Sequence, residues 1–280
     1  MLCPLCLSPS TPMAPHPEAS LFRCGTCRHA FTDSASISQP EQYDASYFDH
    51  DHKRWFEHPN LELFNLVLSQ VLTGASLADV GCGRCDFLRY ARTKRPDLKL
   101  TGIDLSANPD LPGIRFIQGD ILTLPIEERF DVVTSLMVIE HIAEVRSFVR
   151  RMQQLTKPGG VVAITTINDG SLLYRAGRVG RTLGIPLAYN RLYSAHHLQH
   201  FTRSSLAGLL RDGGCQLTSH LDHNAPIEAM DLPVTNRALD AILRVGLRVL
   251  WLAGRATTRS YAQTVICTTP QSVPLSPPAS

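Results

Sequence analysis

Five short apolar runs, at positions 77–80, 100–105, 114–117, 130–136 and 160–167, alternate with helix-like stretches through the middle of this chain. Each run has strand length and is apolar on both faces, the pattern of strands covered above and below. A helix between successive strands carries the chain back to the same edge, so the pattern predicts a parallel, doubly wound α/β sheet. Further strand candidates at 215–221 and 261–268, with a helix at 204–211 that Gly213 and Gly214 would terminate, extend the sheet toward the C-terminus.

A chain of 280 residues, 44% apolar, has room for one such domain and a small accessory module. Residues 1–32 are rich in Cys and Pro and cannot form a core without a cross-link. Residues 33–75 read as a linker and N-terminal helices, 76–268 as the α/β domain with an insertion at 169–200, and 269–280, dense in Pro and Ser, as a disordered tail. With 27 Lys and Arg against 25 Asp and Glu, no global field attracts nucleic acid, and none is expected as a partner. There is no signal-like start and no apolar span of bilayer length, so a cytoplasmic protein is expected.

The sequence Leu77-Ala78-Asp79-Val80-Gly81-Cys82-Gly83-Arg84-Cys85 is a strand running into a glycine turn, followed by the helical spacing of Phe87, Leu88 and Ala91. Glycines at 81 and 83 let the backbone turn sharply and approach a ligand. Asp104 closes the next run 21 residues after Gly83, where a carboxylate can accept from both hydroxyls of a ribose. Nicotinamide enzymes share that spacing, but their third glycine would fall at position 86, which is Asp86. Asp120 closes the following run and is placed to meet an adenine amino group.

In order, DVGCGRCDFL, LTGIDLS, FIQGDILTLP, FDVVTSLMVIEHI and LTKPGGVVAITT resemble the successive motifs of class I S-adenosylmethionine-dependent methyltransferases. The resemblance covers roughly residues 77 to 167 and implies a Rossmann-like seven-stranded sheet with an antiparallel last strand. It also implies S-adenosylmethionine as cofactor, with Asp79, Gly81 and Gly83 toward the methionine part, Asp104 and Leu105 at the ribose, and Asp120 and Ile121 at the adenine. Leu136 and Met137 would line the same pocket. Cys85 stands where the family has a third small residue, at some cost in room. Tyr43 and Tyr47 resemble N-terminal tyrosines that cover the cofactor in small-molecule methyltransferases; core packing is the alternative.

Cys3-Pro-Leu-Cys6 and Cys24-Gly-Thr-Cys27, separated by 17 residues, each aim two thiolates from one tight turn at a single tetrahedral ion. The pairs resemble a zinc ribbon, and four thiolates close the coordination shell, so Zn2+ is expected to be structural. His16 or His29 could replace a cysteine, and Cys82 with Cys85 forms a third CxxC inside the glycine turn, where small residues beside the cofactor suffice.

Methyl transfer is a displacement that needs the acceptor held in line and water excluded; a hydroxyl acceptor also gains from a positioned base. His141 and His197 are the candidates, His141 because Glu140-His141 resembles a pair in ubiquinone-pathway O-methyltransferases. Arg175, Arg178 and Tyr193 in the insertion are expected to grip an anionic small-molecule acceptor, a solvated helix face being the alternative. Residues 238–255 pattern as an amphipathic helix with an Asp240, Arg244, Arg248 stripe and an apolar one. That helix could cover the core, form a dimer seam, or make peripheral membrane contact. The expected function is methyl transfer to a hydroxyl of a sugar, lipid precursor or secondary metabolite. The alternatives are an RNA methyltransferase gripping substrate through the ribbon, and a non-catalytic cofactor-binding interaction protein.

Overall fold

The computed structural model describes residues 1–37, 53–107, 111–232 and 236–271. Tyr43, Tyr47 and most of the Pro- and Ser-rich tail lie outside the described residues. The N-terminal segment forms three short antiparallel strands, β1 (Ser10–Pro12), β2 (Leu21–Cys24) and β3 (Ala30–Thr32). Helices α1 (Lys53–Glu57) and α2 (Leu61–Leu68) follow; Asn60 caps α2 by accepting from Leu63 N.

The α/β domain runs β4 (Ser76–Val80), α3 (Asp86–Lys94), β5 (Lys99–Asp104), β6 (Ile114–Gln118), β7 (Phe130–Leu136), α4 (Val145–Leu155) and β8 (Thr156–Ile167). Then come α5 (Leu172–Thr182), α6 (Leu187–Leu192), β9 (Gln199–His200), α7 (Arg203–Asp212), β10 (Gln216–His223), α8 (Arg237–Ala256) and β11 (Ala262–Thr268). Seven strands form one sheet in the order β10-β11-β8-β7-β4-β5-β6, with β11 antiparallel to both neighbours. The helices read from spacing form where their apolar residues share a face. On α4, Val145, Phe148, Val149, Met152 and Leu155 are all buried against the sheet. On α7, Thr202 and Ser205 form a reciprocal capping box at the N-terminus.

One expectation needs correction, and the open alternatives for 238–255 gain a constraint. Residues 1–32 are not a self-contained module: β3 pairs antiparallel with β9, so the N-terminal sheet takes its fourth strand from the 169–200 insertion. Cys3, Leu5, Cys24 and Phe31 belong to the same buried cluster as Phe148, Phe201 and Leu206. A segment this short borrows its core from the larger domain. The apolar side of α8 does not bury as one stripe: Leu247, Trp251 and Gly254 face the core, whereas Leu239, Ile242 and Leu243 are exposed.

Candidate active site

The strand order reverses between β4 and β7, whose carboxyl ends therefore open a crevice, the place where ligands bind in open α/β sheets. A cavity of about 400 Å3 occupies it, within the range of small-ligand sites. Asp79, Gly81, Gly83, Asp104, Leu105, Asp120, Ile121, Leu136, Met137, His141 and His197 all contribute to its wall. Residues spread over more than 100 positions of sequence thus meet at one place.

On the β4 side the backbone itself is the wall. Gly81 has φ +72°, and a Cβ there would fall 2.4 Å from Val138 Cγ2, so no other residue fits without displacing the neighbouring turn. The turn is tied to β5 by Asp104, whose carboxylate accepts from Gly83 N at 2.8 Å and Ser106 N at 2.8 Å. Each carboxylate oxygen keeps capacity for another donor, as two ribose hydroxyls require. Asp120 accepts from Leu122 N at 2.9 Å, which orients the acid ending β6. Cys85 alters the expectation attached to it: what its position demands is a left-handed conformation, φ 61°, rather than room alone. Its Sγ lies 3.4 Å from that of Cys82 in a buried position.

Asp79 is buried, accepts from Thr134 Oγ1 at 2.6 Å, and is pushed up to about 7 by desolvation, which outweighs that hydrogen bond and is reinforced by the nearby Asp104. Two acids at the end of β4 and β5, in a cavity that no Lys or Arg among the described residues lines, suit a cationic guest. The donor set, the glycine turn and the strand-end acids fit the methionine, ribose and adenine parts of S-adenosylmethionine. When bound, that cofactor would supply an electrophilic methyl on a sulfonium sulfur.

The opposite wall is made of side chains. Met137, at φ 61°, ends β7 in a strained conformation and leads into a single 3-10 turn, Ile139–His141. His141 Nδ1 lies 2.9 Å from the carbonyl of His196. A carbonyl can only accept, so Nδ1 carries the proton and Nε2 is the basic nitrogen. His197 stacks obliquely on it with ring centroids 5.1 Å apart. Burial, and then the neighbouring imidazoles of His141, His200 and His196, hold His197 well below the ordinary histidine range, so it is neutral. Glu140 is fully buried, accepts from Thr166 Oγ1 at 2.8 Å, and is pushed up to about 7 by desolvation. Trp55, His58, Asn60, Pro226 and Tyr261 complete this side. Of these only Glu140 carried a signal in the sequence, an acid inside the apolar run before His141; the others reach the cavity through distant packing.

The insertion's candidates lie elsewhere. Arg178, Tyr193 and Arg23 of β2 converge on buried Asp169: Arg23 bonds its Oδ2 at 2.8 Å, Arg178 its Oδ1 at 3.0 Å, and the Tyr193 hydroxyl also donates to Oδ1. The two guanidiniums hold the Asp169 carboxyl below its usual range despite burial. Tyr193 is fully buried, Arg175 is exposed, and neither they nor Arg178 line the cavity. The arginines are spent on a buried acid that fastens the insertion to the N-terminal sheet, which corrects the expectation that they grip the acceptor. Among the described residues no Lys or Arg faces the cavity at all.

Cys3, Cys6, Cys24 and Cys27 bring their sulfurs within 4.8 Å of one another, with three of the Sγ–Sγ separations at 3.5 to 3.6 Å. A tetrahedron with metal–sulfur bonds of about 2.3 Å has edges near 3.8 Å, so the set fits a zinc-sized ion. The cluster lies behind the acceptor wall. Thr32 Oγ1 donates to the carbonyl of His197 at 2.8 Å, Thr32 N to that of Leu198 at 2.9 Å, and His29 Nε2 meets Gln199 Oε1 at 2.9 Å. His29 is thus occupied at the strand interface and does not replace a cysteine; His16 bonds the carbonyl of Asn190.

The family described as a methyltransferase domain matches residues 48–220. The ubiquinone biosynthesis O-methyltransferase of Pseudomonas putida is 31% identical over 159 residues, 52% of this chain and 66% of that protein. The malonyl-[acyl-carrier protein] O-methyltransferase of Pectobacterium atrosepticum is 31% identical over 114 residues, 38% of this chain and 44% of that protein. The chain therefore spans two thirds or less of the length of these curated relatives. Among solved structures, a phosphoethanolamine N-methyltransferase of Haemonchus contortus in complex with S-adenosyl-L-methionine matches with TM-score 0.57 and 16% identity, over 86% of this chain and 62% of that one. A 1,6-didemethyltoxoflavin-N1-methyltransferase of Burkholderia thailandensis matches with TM-score 0.51 and 15% identity, over 92% of this chain and 99% of that one. With the motif order, the seven-stranded sheet and a domain match over more than half its length, the chain belongs to the class I S-adenosylmethionine-dependent methyltransferases.

Proposed function

We infer that this enzyme methylates a hydroxyl of an uncharged, largely apolar small molecule, with His141 as general base. The observation that carries this reading is the His141–His197 pair in a cavity that no Lys or Arg among the described residues lines, the Nδ1 proton of His141 shared with the His196 carbonyl. With the proton on Nδ1, Nε2 would take up the proton of an acceptor hydroxyl whose oxygen receives the electrophilic methyl that S-adenosylmethionine supplies when bound. The base removes a proton that the new ether oxygen cannot keep, and charge balances without a metal at this end. Trp55, Leu63, Val138, Ile142 and Tyr261 give the acceptor an apolar bed that excludes water. A named ubiquinone-pathway O-methyltransferase among the relatives supports oxygen as the receiving atom and favours a phenolic or lipid-precursor hydroxyl over a charged sugar.

Zn2+ held by Cys3, Cys6, Cys24 and Cys27 takes a structural role, since four thiolates leave no position for substrate. The ribbon is a poor RNA grip: Arg23 is committed to Asp169, which leaves Arg28. No disulfide joins any of the eight cysteines, and no helix among the described residues is long and apolar enough to cross a membrane.

Screening phenolic and alcoholic acceptors with isotopically labelled S-adenosylmethionine tests the reading. His141→Ala should slow transfer by roughly 10²- to 10⁴-fold while affinity for S-adenosylhomocysteine stays constant. Unchanged turnover in both His141→Ala and His197→Ala would remove the base.

A further inference from the structure

Helix α8 is 20 residues long, yet only Leu247, Trp251 and Gly254 are buried. Its outer face is apolar. Ile242, Val245, Val249 and Leu252, spaced by three and four residues, are 66, 55, 60 and 70% exposed. At about 100° per residue these side chains share one face, and exposed Arg237 and Arg248 fall within about 20° of each other along its flank, while Arg244 is held by Asp240 and the Ile227 carbonyl and Arg255 pairs with Glu62. The helix packs against α5, and the α5–α6 segment adds exposed Val179, Leu183, Ile185 and Leu187.

Charge is segregated with this surface. Segments 172–192 and 237–259 together hold nine arginines and a single acid, Asp240, although the whole chain carries only a net +2; of the nine, Arg178, Arg244 and Arg255 pair with Asp169, Asp240 and Glu62. The rest of the molecule is therefore net negative. An apolar face flanked by exposed arginines, here Arg237 and Arg248, is the arrangement of a helix lying in a lipid headgroup layer, apolar side chains in the acyl boundary and guanidiniums on phosphates. A two-fold seam with a second copy fits less well, because it would bring the same arginines together with one acid from each partner.

We propose that the outer face of α8, with the α5–α6 segment, seats this enzyme on an anionic lipid surface. This goes beyond the reading of the active site and does not depend on it. The inner face of the same helix touches the acceptor wall: Trp251 stacks on Tyr261 with centroids 5.7 Å apart and donates to the carbonyl of Ala225 at 2.8 Å, and Tyr261 and Pro226 line the cavity. A lipid surface met by α8 thus lies one helix thickness from the site that an apolar acceptor must enter.

Vesicle flotation decides the matter, using phosphatidylcholine alone and phosphatidylcholine mixed with phosphatidylglycerol. The protein should float only with the anionic vesicles and be released by salt. Val245→Asp with Val249→Asp should abolish flotation, and Arg237→Gln with Arg248→Gln should weaken partition by roughly 30-fold. Both variants should keep wild-type affinity for S-adenosylhomocysteine, which shows that they are folded. Absence of wild-type flotation with anionic vesicles, or flotation that both double variants retain, would overturn the proposal. So would a concentration-dependent dimer in light scattering that Val245→Asp with Val249→Asp dissolves, since a second copy would then cover the face.

Discussion

The two walls of the cavity are built differently. The cofactor wall consists of residues at or just beyond the carboxyl ends of β4, β5, β6 and β7, and its shape is set by backbone: a glycine turn, and acids fixed by main-chain amides, those of Ser106 and Leu122 two positions away and that of Gly83 in the turn itself. The acceptor wall consists of side chains whose neighbours lie far off in sequence. The carbonyl that orients His141 is 55 positions away, and the hydroxyl that holds the His197 backbone is on Thr32, 165 positions away. The first wall follows from the sheet; the second requires the N-terminal sheet to be docked first. One half of the site therefore belongs to the fold common to the family, and the other to this chain's particular assembly.

If that contrast holds, the metal cluster should govern one wall and not the other. Cys24→Ser, which removes a ligand of the ribbon, should lower the unfolding midpoint by roughly 10 °C or more, because structural zinc contributes several kcal/mol and its cluster shares core with Phe148 and Phe201. Below that midpoint, calorimetry should find affinity for S-adenosylhomocysteine within about threefold of wild type, while transfer to any accepted hydroxyl collapses. Equal losses of cofactor affinity and turnover would show that the walls are not separable.

The converse substitution is smaller in effect and opposite in pattern. Asp104→Ala deletes the carboxylate placed to accept two ribose hydroxyls and unties Gly83 and Ser106, so affinity for S-adenosylhomocysteine should fall by roughly 100-fold. Bound zinc, measured by elemental analysis, should be unaffected. Zinc loss in this variant would mean that strain passes between the walls.

The same contrast explains how much the sequence disclosed. Gly81, Gly83, Asp104 and Asp120 announce themselves because strand-end position and turn chemistry are local properties, readable from runs and spacings. The cysteine pairs are local as well. Trp55, Pro226 and Tyr261 gave no such signal: an aromatic or proline in a loop reads the same whether it lines a cavity or packs in a core. Arg178 and Tyr193 show the reverse error. A cluster of arginines among glycines and tyrosines reads as an anion grip, and only the fold reveals that the anion is internal, Asp169, with Arg23 on its other side. The exposed half of α8 stayed open between alternatives for a related reason, since an apolar stripe says that something covers it and not what.

The mildest test concerns His200, which belongs to β9, the strand that the insertion adds to the N-terminal sheet. It is fully buried, and neither ring nitrogen has a hydrogen-bond partner among the described residues. Desolvation pushes it from its ordinary 6.5 down to about 3. A depressed folded-state value means that protons favour the unfolded chain: the contribution is intact above pH 6.5 and drains away as pH falls toward 3. At pH 5 this single group should cost about 2 kcal/mol relative to neutral pH. Replacing an unpartnered imidazole by a ring of similar shape removes that liability without losing a hydrogen bond. His200→Phe should therefore unfold within a few degrees of wild type at pH 7, yet about 5 °C above it at pH 5. Parallel melting curves for the two proteins across that interval would show that β9 is hydrated, and that the acceptor wall has a looser backing than its packing implies.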